Sequence, residues 1–158
     1  MKIAMVCSIG LILGQVTTAV AQTAVKHFPA GGASVPPGAV SMAAGPAFSS
    51  AVMAGDTLYV SGTLDIDPAT GKPAADAKAG AKLVLDNVKR AVENAGLTMN
   101  DLVWVQIFAT DLANYAAFNE AYRTYFTGPL PARAFIGAGS LLAGAHFEVM
   151  GIAVKAKK

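Results

Sequence analysis

Cysteine is all but missing from this chain, and its one occurrence, Cys7, lies in a segment with a fate of its own. The opening stretch "MKIAMVCSIGLILGQVTTAVAQ" places Lys2 first, then an uncharged run, then Ala19-Val20-Ala21. That is the three-part pattern of a secretory signal with a small-residue cleavage site before Gln22. The strongly apolar part, Ile3 to Leu13, is broken by Ser8 and Gly10 and is short for a membrane span. Cleavage would remove 21 of the 158 residues and leave 137 without a thiol. Cysteine nucleophiles, thiolate metal sites and disulfides are thereby excluded from the mature chain, which is expected to be secreted or periplasmic and free of the membrane.

Histidine is nearly as scarce. His27 and His146 are far apart in sequence and have no cysteine near them, so no metal-ligand cluster is expected. Charge is thin too, at 14% of residues against about a quarter in ordinary soluble proteins. The net charge of +2 falls to +1 when Lys2 leaves, and no basic stripe is visible. A nucleic acid partner therefore has no electrostatic support. Ser61 lacks the G-x-S-x-G setting of a nucleophile elbow. The glycine-rich "PAGGASVPPG" lacks the Gly-Lys-Ser/Thr of a phosphate loop. Asp65 and Asp67 in "LDIDPATG" read better as turn residues than as a calcium loop. By elimination, a site in this chain must use an arginine, a carboxylate, amides, hydroxyls and backbone groups.

What is present is a core-forming composition, 54% hydrophobic, of a length suited to one domain. After the signal (1–21), residues 22–46 are dense in Pro and Gly without periodicity and read as a linker or extended arm. The domain follows at 47–158. "AVMAGDTLYVSG" reads as a hairpin turning at Gly55-Asp56. A helix is expected after Asp76 as N-cap, with Ala79, Val84, Val88, Ala91 and Ala95 along its apolar face and Gly96 as the stop. Leu102 to Asp111 reads as a buried strand, and "LANYAAFNEAYRTYF" as a second helix with its aromatic residues on a core side. "ARAFIGAG" and "AHFEVMGIAV" read as two closing strands about a "SLLAG" connection. The order β-β-α-β-α-β-β predicts an α+β sheet with two helices on one face.

Arg133 is the conspicuous residue, one charge within the apolar and turn-forming stretch "GPLPARAFIGAG". Burying an unpaired arginine is expensive, so it needs a partner, water or a ligand. If the last two strands form a hairpin, Glu148 falls near it on the same face. On that geometry alone an ordinary ion pair of about 0–1 kcal/mol is the better reading; a carboxylate clamp is the sharper one.

The ordered motifs "GPAFSSAV…GDTLYVSG", "DPATGKP", "LDNVKRAVENAGLTMNDLVWVQIFATDL", "FNEAYRTYF", "PARAFIGAG" and "HFEVMGIAV" resemble the RidA (YjgF/YER057c/UK114) family from about Gly45 to Val154. The resemblance implies a chorismate-mutase-like α+β fold and a homotrimer with a barrel-like centre and clefts between subunits. It also implies hydrolysis of reactive enamine and 2-imino acids to 2-oxo acids and ammonia, with no metal or organic cofactor. By the same resemblance Arg133 grips the substrate carboxylate and Glu148 positions or activates water. Asn119, Ser61, Gly62 and Phe48 line the cleft, and Phe135 borders it. Thr63, Phe135 and the extra Ala47 depart from the family pattern, which bears on substrate size. A binding module for small carboxylate metabolites and a holdase-like protein are the two alternatives.

Overall fold

The computed structural model describes residues 23–30 and 47–156; the expected signal, 1–21, lies outside the described residues, as does most of the 22–46 arm. The hairpin forms where the alternation places it, as β2 (Ser49–Ala54) and β3 (Thr57–Leu64), with Gly55 at φ +59° in the turn. A strand that the sequence reading does not supply, β1 (Val25–Pro29), pairs antiparallel with β2 from within the arm. Its five residues alternate too briefly to stand out from the Pro/Gly-rich flank, and the exposed edge of β2 supplies the missing hydrogen-bond partners.

Helix α1 (Ala77–Asn94) begins as expected, with the Asp76 carboxylate accepting the Ala79 N–H at 2.8 Å. It buries Gly80, Ala81, Val84, Leu85, Val88 and Val92 against the sheet, while Ala79 faces outward, contrary to the expected stripe. The rest of the expected stripe holds, with Val84 and Val88 buried and Ala91 and Ala95 packed against the core. Helix α2 (Tyr115–Arg123) follows a short 3-10 turn, and its Phe118 and Tyr122 are buried. Both helices lie on one face of the sheet and pack against each other. Phe118 joins the two layers, its ring centroid 4.9 Å from that of Phe147.

The sheet order is the main departure from expectation. Strands β4 (Leu102–Ala109), β5 (Ala132–Gly137) and β6 (Phe147–Val154) complete a six-stranded sheet ordered β1-β2-β3-β6-β4-β5. β5 runs parallel to β4, and β6 runs antiparallel to both β4 and β3. The expected β5–β6 hairpin does not form, because β4 lies between the two strands. Helix α2 provides a crossover from β4 to β5, which parallel pairing requires.

This order decides which residues share a face. Arg133 registers with Val105, then Gly151, Val60 and Ala51, a row turned toward the helices. Glu148 registers with Leu64 on one side and Phe108 on the other, and Phe108 with Ile136. That row lies on the open face. Another open-face row carries Val52, Tyr59, Ile152 and Trp104. The face without helices is thus rich in large apolar side chains.

Candidate active site

The Arg133 neighbourhood is built by helix spacing. Tyr115, Asn119, Tyr122 and Arg123 stand at i, i+4, i+7 and i+8 on α2, one stripe of the helix surface, which lies along the start of β5. Arg133 Nη2 donates to Asn119 Oδ1 at 2.7 Å and reaches the Tyr115 hydroxyl at 3.4 Å. Its guanidinium lies over the Tyr122 ring, 4.6 Å from the centroid, and within 5.6 Å of the Tyr115 centroid. These contacts hold the fork in one orientation, half-buried, yet no carboxylate of the chain lies within ion-pair distance of it among the described residues. A pocket of about 150 Å³ opens here, with Tyr115, Asn119, Arg123, Leu130 and Arg133 in its wall.

The Arg133 charge favours ionisation of two tyrosines, yet they shift in opposite directions. Burial pushes the Tyr122 hydroxyl up to about 12, with the Arg133 charge opposing the rise. The Tyr122 hydroxyl is buried without a hydrogen-bond partner among the described residues. The Asn119 amide and the Arg133 charge hold the exposed Tyr115 hydroxyl below the ordinary tyrosine value. The sequence reading placed both tyrosines in the core. Tyr122 is there, but Tyr115 is 49% exposed. The signal that would have revealed them is their α-helical phase with Asn119.

Glu148 belongs to a different constellation. β3 carries a bulge, with Val60 and Thr63 opposing Gly151 and Val149, so that one extra residue is inserted around Ser61-Gly62. The carboxylate of Glu148 lies over Gly62, where a Cβ would collide with it. Ser61 Oγ donates to the Ser49 carbonyl at 2.6 Å, and Thr63 Oγ1 to the Ser61 carbonyl at 3.1 Å, which secure the bulge. The structure therefore brings Ser61, Gly62 and Glu148 together, and separately Asn119 and Arg133. It does not bring the two groups together within one chain, because Arg133 and Glu148 point to opposite faces of the sheet. Sequence spacing missed this by assuming a hairpin.

Two residues stand elsewhere. Phe135 is not in the wall of the Arg133 pocket; its ring packs edge-on against Tyr115 (centroids 5.1 Å apart) and Phe118 (5.5 Å), at the border of the core. It supports the ring that touches Arg133 rather than closing the pocket. Phe48 is 58% exposed at the start of β2.

A third polar cluster is built on an enclosed carboxylate. Asp65, with no exposed surface, accepts the His146 N–H at 2.8 Å and the Phe147 N–H at 3.0 Å on Oδ1, and its Oδ2 meets His146 Nδ1 at 2.7 Å. Asp67 forms the expected turn, its Oδ1 accepting the Ala69 N–H at 2.8 Å. Asp65 is no turn residue but a pin joining the end of β3 to the start of β6. Among the described residues no cluster of three or more potential metal ligands occurs, and no helix is long and apolar enough to cross a membrane.

The fold and these residues define a mixed α+β protein, a six-stranded sheet backed by two helices, with an oriented arginine at one sheet edge and a carboxylate on the open face. Residues 39–155 match the family model described as Endoribonuclease L-PSP. The chain belongs to this family, the YjgF/RidA family. A RutC family protein of Pyrococcus horikoshii is 36% identical over 109 residues, which are 68% of this chain and 86% of that protein. The crystal structure of RidA from a Psychrobacter species superposes with a TM-score of 0.67 at 37% identity, over 71% of this chain and 91% of that one. The structure of Escherichia coli TdcF with bound serine does so with a TM-score of 0.67 at 33% identity, over 72% and 91%.

Proposed function

We propose that this chain is a hydrolytic deaminase of 2-imino and enamine acids, active as a homotrimer, with a reacting centre between Arg133 of one copy and Glu148 of another. The observation that carries this reading is the orientation of Arg133: a guanidinium fixed by Asn119 and Tyr122, facing a pocket, with no carboxylate at ion-pair distance among the described residues. A planar fork so held suits a ligand carboxylate, each charge-assisted hydrogen bond contributing about 1.5–3 kcal/mol. TdcF, a relative of the same fold, binds serine, a small molecule with such a carboxylate.

Opposite faces cannot cooperate in one copy, so the reading requires a second. The open face, with Tyr59 51% and Ile136 41% exposed among other large apolar residues, is suited to burial against its own kind. Three copies is the number that the family resemblance implies.

In the reaction, an enamine first takes a solvent proton at C3 and an imine takes one at nitrogen; water then adds through its oxygen to C2 of the iminium (C=NH2+) while the C=N π pair moves to nitrogen. Glu148 takes a proton from that water and returns it to nitrogen as the C–N bond breaks. The tetrahedral intermediate collapses to the 2-oxo acid, ammonia leaves, and the hydroxyl proton passes to solvent. Holding the carboxylate on Arg133 places C2 within reach of the held water, which removes much of the entropic barrier. The ribonuclease suggested by the family model's description gains little here, since His146 is engaged with Asp65 and the net charge is only +2.

The test uses the chain from Gln22 onward. An amino acid oxidase generates imino acids in situ, keto acid release is timed, and light scattering gives the mass. Acceleration by the wild-type trimer that disappears in Arg133→Ala supports the reading. A trimer that accelerates nothing but binds 2-oxo acids favours a binding module instead. Mass spectrometry of the exported protein's N-terminus checks cleavage before Gln22.

A further inference from the structure

We infer that the Arg133 pocket selects substrates with two acidic groups, Arg123 serving as the second clamp; this rests on the deaminase reading and names its substrate class, the 2-imino dicarboxylic acids. The pocket wall holds two guanidiniums, Arg123 and Arg133, and no carboxylate. Neither arginine has an ion-pair partner among the described residues. Glu120, the acidic residue closest to them along α2, faces away: it lines a separate groove of about 450 Å³ between α1 and α2, together with Asp76, Lys78 and Lys82. The helix thus divides its charges, with the carboxylate on one side and the arginine on the other. Two cations converging on one concavity repel each other, and an anion relieves that cost.

The two arginines are prepared for different tasks. Arg133 is immobilised by Asn119 and the Tyr122 ring, which suits the carboxylate next to the reacting carbon. Arg123 is exposed in the last turn of α2 and keeps its rotamer freedom, which suits a distal carboxylate at variable reach. The Tyr115 hydroxyl shares the pocket wall with both, 3.4 Å from Arg133 Nη2.

The probes are 2-oxoglutarate and 2-oxobutyrate, the products expected from a diacid and a monoacid, titrated calorimetrically into the wild-type protein and its variants. The diacid is expected to bind about tenfold or more tightly, a difference of about 1.4 kcal/mol. Arg123→Gln should bring the ratio near one, Arg123→Lys should restore part of it, and Arg90→Gln, which removes the same charge from α1, should leave it intact. Equal binding of the two acids by wild type, no binding of 2-oxoglutarate, or a preference that survives Arg123→Gln overturns the inference. Turnover of the corresponding imines separates the two ideas. Hydrolysis of both at equal kcat/KM, with equal product binding, leaves the deaminase reading and removes the diacid preference. An Arg123-dependent preference in binding without turnover of either imine does the reverse.

Discussion

Two charged residues of this domain sit in tight company, and they differ in how their bonding capacity is used. Asp65 is completely enclosed, and each of its oxygens is engaged by its own chain, through two backbone N–H groups and the His146 ring. Arg133 is half-buried and held on one side by Asn119 and Tyr122, but it faces a pocket without a counter-charge. The first arrangement is closed, and its free energy goes into folding. The second is open and suits a molecule from outside. Burial alone does not separate a structural charge from a functional one; the count of unused hydrogen-bonding groups does.

The comparison can be broken at either end. Replacing Arg133 by Ala should cost the most, a fall in kcat/KM for imino acids of about 10²–10⁴-fold, the loss of two charge-assisted hydrogen bonds. The melting temperature should move little, because the guanidinium closes no internal network. Asp65→Ala should do the opposite and lower folding stability by about 3–5 kcal/mol, leaving a partly buried imidazole and two N–H groups unpaired. Chemical denaturation measures it, and a loss under 1 kcal/mol would show that the pin is dispensable.

Finer substitutions sharpen the contrast. Gly62→Ala should push the Glu148 carboxylate off the bulge and lower activity by about 10²-fold, as misplacement by an ångström can. The displaced group is the end of a flexible side chain, so stability should hold. Gly80→Ala meets the enclosed carboxylate instead, its Cβ 2.5 Å from Asp65 Oδ2. It should cost about 1–3 kcal/mol of stability with activity per folded molecule unchanged. Steady-state kinetics and urea denaturation of both variants decide whether the two clusters are separable.

The smallest effect is expected at a surface pair. Burial tends to raise the Asp86 carboxyl, but hydrogen bonds from Lys82 and Tyr125 and the Lys82 charge outweigh it, so its pKa lies below the ordinary 3.8. A carboxylate depressed on folding adds stability above its unfolded value, and loses it as pH falls through the folded one. Asp86→Asn should thus cost under about 1 kcal/mol at neutral pH. The difference between variant and wild type should vanish in strong acid. A gap of equal size at every pH would show that the carboxylate charge is irrelevant.

The legible parts of this domain were local. Asp76 caps α1, Gly55 turns the hairpin, Asp67 makes its turn and the two helices lie on one face, each readable from a few neighbouring residues. The site was half legible. Arg133 with Asn119, and Ser61 and Gly62 with Glu148, are the expected residues. Their division between two faces was not legible, nor was the shift of Phe135 into the core border. Tyr115 and Arg123 passed unnoticed because an aromatic residue and a helix-terminal arginine have ordinary structural explanations.

The sequence by itself therefore determined the elements, their caps and turns, and the residue types available for chemistry, since these depend on side chains within a few positions of one another. Only the tertiary structure decided that β4 runs between β5 and β6. Strand pairing joins segments remote in the chain, and any backbone edge can pair with any other until packing and connection length choose among them. Side chains alternate across a strand, so that one choice of order and register placed Arg133 under the helices and Glu148 on the open face. It separated two residues that a hairpin would have placed side by side.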